Sequence, residues 1–336
     1  MIASTALTHI ARSKVFVEAQ AKVNLALELL GKRDDGYHEI ATLLQGVNLA
    51  DRILLEERDD GITISSSDPS LPEGPENLAW RAARLVQEAR QVSRGVHIMI
   101  EKRIPVAAGL GGGSTDAAAV LLGLQRLWGL DGNPEELRAW AMSLGMDVPF
   151  FLRGGRVLAE GRGERLTSLP SRPGHHLVLV NPNFPLVTRD VYGWVGFVRP
   201  KGTHGLGPLI AALARGEAAA VGSLLHNDLE PLVAARYPEV GEICTVLRGA
   251  GARGVVMSGS GPTMIALADS APHAAAMVGA TRGRPWSVWV LATTPGPAAR
   301  IRPLGPGAAT EREADSRARR GRAGASGSCD WGVAKR

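Results

Sequence analysis

The chain has 336 residues, 45% of them hydrophobic and 21% charged, which suits two globular domains with sizeable cores and excludes a small peptide scaffold. No long apolar run marks a membrane span, and Cys244 and Cys329 stand far apart without a CxxC partner. That excludes a zinc site or a disulfide framework and points to a reducing cytoplasm. The net charge of +5 lies wholly in residues 295–336, where eight arginines and one lysine face Glu311, Glu313, Asp315 and Asp330, so the neutral body is not expected to track nucleic acid.

Residues 1–14 read as a ragged N-terminal extension, with no apolar core flanked by basic residues as a signal peptide would have. From Val15 to Leu30 apolar and polar residues alternate, most clearly at Val23, Leu25, Leu27 and Leu29, which predicts a strand pair with one apolar face. Gly31, Asp34, Asp35 and Gly36 supply turn chemistry, and strands are expected over 40–47, 51–57 and 61–65. Leu78, Ala82, Leu85 and Ala89 repeat at helical spacing, with Asn77 placed to cap the helix, and "GVHIMIEKRIP" is the next strand.

Residues 105–118 then read "PVAAGLGGGSTDAA", with four glycines in five positions before Ala117–Trp128, a run of strong helix formers. Glycines let backbone N–H groups converge, and a helix N-terminus adds a positive dipole end, so the segment suits a phosphate, with Ser114 placed as an N-cap. Two familiar phosphate loops are excluded. Gly113 is followed by Ser114 with no lysine, unlike a Walker A loop, and Ser114 stands where a dinucleotide fingerprint needs its third glycine.

The following helix has Asn133 to cap it, Pro134 in its first turn, Glu135 and Glu136 at the positive dipole end and Gly145 to stop it. Asp147 falls just beyond. A second unit opens with "HHLVLVNP", passes through helices near 208–213, 218–226 and 240–249, and closes through "GVVMSGSGPTMIAL" and "SVWVLAT". Hairpins mixed with helices indicate α+β. Residues 295–336, rich in Gly, Pro, Ala and Arg, read as a disordered basic tail. His175 and His176 lack a second pair at metal spacing and read as structural.

The stretches "AKVNLAL", "PVAAGLGGGSTDAA" and "MSGSGPTMIAL" resemble the three motifs of the GHMP kinases over roughly residues 15–294. "AKVNLALELLGKRDDGYHEIATLLQ" and "LGMDVPFFLRGGRVLAEGRGE" are similar to the 4-diphosphocytidyl-2-C-methyl-D-erythritol kinase branch. The resemblance implies a two-domain GHMP kinase fold. An N-terminal ATP-binding β-α domain over 15–172 carries the glycine-rich loop, and a ferredoxin-like C-terminal domain spans 173–294. It also implies ATP and Mg2+ as cofactors, phosphorylation of a 2-hydroxyl in non-mevalonate isoprenoid synthesis, small-molecule partners, and a cytoplasmic monomer or homodimer.

Residue by residue, the resemblance places catalysis on Lys22 and Asp147. Nucleotide binding falls on Pro105, Val106, Ala107, Ala108, Gly109, Leu110, Gly111, Gly112, Gly113, Ser114 and Thr115, with Ser114 offering a hydroxyl to Mg2+. Lys102 and Asn77 match positions near the adenosine. Tyr37 and His38, with Tyr192, match the cytosine pocket; Asn24 and Thr188 match positions that orient the polyol. The alternatives are a homoserine- or mevalonate-type kinase and a non-catalytic nucleotide-binding regulator.

Overall fold

The computed structural model describes residues 12–171, 175–196 and 205–303. In place of the expected strand pair, Lys14–Lys32 forms one 19-residue strand, β1. It runs antiparallel to β2 (His38–Arg58), which joins the two strands expected over 40–47 and 51–57 into one. Register shifts between Gln20 and Lys22, Asn24 and Ala26, and Leu29 and Gly31 absorb the irregularity as bulges, so neither strand has to break.

The alternation at Val23 to Leu29 predicts one apolar face and one wet face, yet every residue from Ala19 to Leu29 is buried. The reason is tertiary. Along its length β1 feeds three successive cores: Val15, Val17 and Ala19 enter the first, Ala21, Val23 and Leu25 the second, Leu27 and Leu29 the third. Its polar face, with Gln20, Lys22, Asn24 and Glu28 at 4% exposure or less, must therefore find internal partners.

The first sheet is completed by β3 (Ile62–Ser66), β4 (Gly95–Glu101), β5 (Arg156–Gly161) and β6 (Arg165–Leu169). Against it pack α1 (Leu78–Ala89), α2 (Gly112–Trp128), α3 (Pro134–Leu144) and α4 (Val148–Arg153). Asn77 caps α1 by accepting from Ala79 N at 2.9 Å, and Asn133 caps α3 through Glu135 N and Glu136 N.

The second unit begins with β7 (His176–Asn181) and continues through α5 (Thr188–Gly193), α6 (Gly207–Arg215), α7 (Ala218–Leu224), β8 (His226–Asn227), α8 (Glu230–Ala234) and α9 (Pro238–Gly249). It ends with β9 (Gly254–Met257), β10 (Met264–Ala268), α10 (Ala271–Ala280) and β11 (Ser287–Ala292). The antiparallel order β11-β7-β10-β9 is the ferredoxin-like arrangement expected from the resemblance. β8 crosses back to pair in parallel with β1, joining the two units along the strand that carries Lys22.

The tail expected from residue 295 starts too early. Ala299–Arg302 forms β12, antiparallel to Phe16–Ala19 of β1, and Ala298 and Ala299 are buried in the first core. The small residues fit a tight site against β1, which their composition alone did not suggest. Residues 1–11, the 172/173 boundary and residues 304–336, including Cys329, lie outside the described residues; Cys244 is buried and reduced. Ending the chain after Pro303 is expected to leave turnover unchanged, whereas ending it after Pro295 removes β12 and lowers Tm by about 5 °C or more. Thermal denaturation and steady-state rates of the two truncations check this.

Candidate active site

The three sequence motifs meet on one backbone oxygen. The Gly109 carbonyl accepts from Lys22 Nζ at 3.0 Å and from Ser258 Oγ at 3.0 Å, so β1, the glycine loop and the β9–β10 turn converge. Lys22 Nζ also donates to Asn24 Oδ1 at 2.7 Å and lies 3.8 Å from Asp147 Oδ2. Asn24 sits two residues along β1, on the same face as Lys22. Its Nδ2 donates to Thr42 Oγ1 at 2.8 Å, and that hydroxyl donates to Ala26 O at 2.6 Å, which fixes the amide against the neighbouring strand.

Lys22 is not a lysine on a strand edge: its side chain is 5% exposed. Burial pulls its pKa below the ordinary lysine value, and the Asp147 carboxylate opposes that fall. Asp147 occupies the N-cap position of α4 without making a side-chain cap bond, and its side chain is 44% exposed. The carboxylate is thus spent on no structural bond at the helix end and faces a buried cation.

Around the loop, the structure moves the helix start. The N-cap is Gly111, in the left-handed region at φ 73°, so Ser114 lies inside the first turn and not at the cap. Gly111 can open the helix earlier because it alone tolerates that φ, and a Cβ there would lie 2.5 Å from Phe151 Cζ. The helix end carries no side-chain cap, Gly113 is exposed, and Thr115 Oγ1 is buried with no partner among the described residues. First-turn N–H groups and a positive dipole end fit a phosphate chain, with the half-buried Ser114 hydroxyl beside them, whereas the Thr115 hydroxyl, expected to serve the same site, is closed off by burial.

Val106 and Ala107 are exposed at the loop's outer turn, Ala108 and Leu110 are buried beneath it, and Pro105 is half-buried. Leu186 N donates to Ala107 O at 3.2 Å, and Lys22 N to Leu110 O at 3.1 Å. Gly109 is at φ 76°, and a Cβ on it would sit 2.2 Å from Ser258 O. Gly109→Ala is therefore expected to break the three-motif junction and raise the KM for ATP by about tenfold or more. ATP titration at fixed acceptor checks it.

Lys102, expected near the adenosine, has its ammonium engaged within the protein. The side chain is 5% exposed and paired with Asp51 and with Asp116 Oδ2, the latter at 2.9 Å. Burial works against the charge, but the two carboxylates outweigh it and raise the Lys102 pKa. Burial, with Asp51 beside it, raises the Asp116 pKa above the ordinary carboxylate value, and the Lys102 ammonium opposes that rise. Asn77 is only 8% exposed, with both ends of its amide engaged: Oδ1 caps α1, and Nδ2 donates to Pro72 O at 2.9 Å.

Of the expected pocket residues, His38 and Tyr192 come together, their ring centroids 5.4 Å apart. Burial, with Lys32, lowers the His38 pKa; burial, with the Asp147 carboxylate, raises that of Tyr192. Tyr192 therefore links the aromatic pair to the catalytic side. Thr188, one helical turn earlier on α5, shares a 2.9 Å hydroxyl contact with Ser260. Tyr37 is 56% exposed on the hairpin, its ring 4.9 Å below the Arg162 guanidinium.

Sequence reasoning missed Thr42, Ser258 as a partner of Gly109, and Asn227, whose Nδ2 donates to Met257 O and Gly259 O at 2.8 Å each and holds the glycine turn. None carries a local signal, because each acts across strands far apart in sequence. Among the described residues no three metal-ligating side chains gather, and His175 and His176 simply lead into β7.

Comparison with known proteins agrees with this geometry. The family model "GHMP kinases N terminal domain" matches residues 77–155, and "GHMP kinases C terminal" matches 209–282. The chain is 43% identical over 278 residues to the 4-diphosphocytidyl-2-C-methyl-D-erythritol kinase of Symbiobacterium thermophilum, covering 82% of this chain and 99% of that protein. It is 46% identical to the same-named protein of Pelotomaculum thermopropionicum, over 74% of this chain and 87% of the other. A crystal structure of 4-(cytidine 5'-diphospho)-2C-methyl-D-erythritol kinase superposes with a TM-score of 0.73 at 40% identity, covering 84% of this chain and 100% of that one. A homoserine kinase from Cytophaga hutchinsonii, at 22% identity and a TM-score of 0.71, over 90% of this chain and 100% of that one, shares the fold. With these identities across most of its length, the chain belongs to the 4-diphosphocytidyl-2-C-methyl-D-erythritol kinases of the GHMP kinase family.

Proposed function

We propose that this chain phosphorylates the 2-hydroxyl of 4-diphosphocytidyl-2-C-methyl-D-erythritol with ATP, Lys22 and Asp147 forming the catalytic pair. The observation that carries the reading is the Lys22 ammonium, held between the phosphate loop at Gly109 and the Asp147 carboxylate at 3.8 Å. Bound ATP supplies the phosphoryl group: a bond forms from the acceptor oxygen to γ-phosphorus, the β–γ bridge bond breaks, and ADP leaves. Asp147 takes the proton released by the acceptor hydroxyl. Lys22, 3.8 Å from that carboxylate, offsets negative charge as it builds on the transferring group.

The loop from Pro105 to Thr115 holds the triphosphate through backbone N–H groups. The Ser114 hydroxyl would take Mg2+, which needs few protein ligands when phosphate oxygens and water complete its shell. Tyr37, His38 and Tyr192 receive the cytosine, with Asn24 and Thr188 beside the polyol. The setting is the cytoplasm, as monomer or homodimer; among the described residues no helix is long and apolar enough to cross a membrane.

ATP consumption by the purified chain with the cytidylyl substrate, beside homoserine and mevalonate, tests the reading. Turnover with the cytidylyl substrate alone supports it. Turnover with either of the others overturns it, and nucleotide binding without transfer to any of the three moves a regulator to the front.

A further inference from the structure

Beneath the phosphate loop lies a buried cluster of charges that the transfer step does not use: Asp51, Lys102 and Asp116, with side-chain exposures of 0%, 5% and 3%. Asp51 Oδ1 accepts from Arg103 N at 2.6 Å and from Ile104 N at 2.9 Å, so it holds the chain as it enters the loop. Asp116 stands in α2, where the chain leaves the loop. Lys102 bridges the two carboxylates. Entry and exit of the glycine segment are thereby tied by one ionic clasp, and a segment with this many glycines gains most from being tied.

The clasp is not arranged for stability. Two carboxylates share one ammonium, and Asp116 Oδ1 is buried with no hydrogen-bond partner among the described residues. An apolar side chain there would lose the Lys102–Asp116 bond but also remove the orphaned oxygen, two effects that oppose each other while Asp51 keeps the ammonium paired. A Cβ at Gly112 would lie 3.2 Å from Lys102 Nζ, so the bridge bears directly on the backbone that opens the helix.

We propose that Asp116 is a positioning residue for the nucleotide, acting through Lys102 and Asp51 to hold the phosphate loop in its binding shape; this rests on the ATP-dependent kinase reading above. The test is Asp116→Leu and Asp116→Asn in the full chain, each measured for Tm and for separate KM values toward ATP and the cytidylyl substrate. For Asp116→Leu the expected result is a Tm within a few degrees of that of the unmodified chain, with the KM for ATP raised about tenfold, the weight of one charge-assisted hydrogen bond. The KM for the acceptor stays within about twofold.

Asp116→Asn keeps an acceptor for Lys102 and is expected to recover the KM for ATP to within about threefold of the unmodified value. A merely structural role would lower Tm and raise both KM values together, and that outcome overturns the proposal. So does an unchanged KM for ATP in Asp116→Leu. If that variant does not fold, Asp116→Ala takes its place: a rise confined to the KM for ATP supports the clasp, and an unchanged value sinks it. Should the unmodified chain show no turnover, the kinase reading fails by itself, and the clasp is then read from ATP dissociation constants by calorimetry.

Discussion

Asp147→Asn lowers kcat by about 10²- to 10⁴-fold while ATP binding and Tm stay close to those of the unmodified chain, the expected result for loss of a proton acceptor. The structure separates this effect from damage to the fold. Asp147 makes no cap bond to α4, and its side chain is 44% exposed, so an amide of the same shape disturbs no packing. Its one charged contact is Lys22 at 3.8 Å, which the amide leaves with Asn24 and the Gly109 carbonyl. Rapid-quench measurement of the transfer step, beside calorimetry of ATP binding, checks the split. A variant that transfers phosphate at the unmodified rate would remove Asp147 from the chemistry.

Lys22→Met is expected to cost kcat about 10²- to 10³-fold, in the range found when one preorganised charge-stabilising group is removed. The loss should again fall on kcat, because the Gly109 carbonyl that Lys22 leaves keeps the Ser258 hydroxyl as a donor at 3.0 Å. The pH profile carries a sharper signature. Burial depresses the Lys22 pKa, so the ammonium loses its proton at a lower pH than a free lysine does. Since the protonated form is the working one, kcat should fall as pH rises through that depressed value. Lys22→Arg, which stays charged throughout, should keep part of the rate and lose this alkaline limb. An alkaline limb unchanged in Lys22→Arg would assign it to another group.

What could be read from the chain in advance was whatever is local. The Asn77 and Asn133 caps and the Gly145 stop each depend on residues a few positions apart, and each stands where the spacing puts it, whereas the helix after the glycine loop begins at Gly111 and not at Ser114. The early lysine, the glycine loop and the late serine turn could be named as motifs, but only the fold puts them on the Gly109 carbonyl. Lys102 shows why the remainder was hidden. Its two carboxylates come from 51 positions before it and 14 after, and a lysine at a strand end looks solvated until those neighbours are known. The alternation in β1 misled for a similar reason, since period two marks which residues share a face and not whether water reaches it. β12 was lost to composition: glycine, proline and arginine around it suggested a tail, while its pairing partner lies at the other end of the chain.

That pairing has a bearing on how the enzyme is made. The strand carrying Lys22 leaves the ribosome long before residues 299–302, which close its edge, and the Asn24 N–H to Ser258 Oγ bond joins positions 234 apart. Such long-range closure is slow and leaves a strand edge open in the meantime. The nascent chain therefore cannot set Lys22 in place one domain at a time. It emerges with that strand unfinished, and the junction at Gly109 closes only once Ser258 and Ala299–Arg302 have followed.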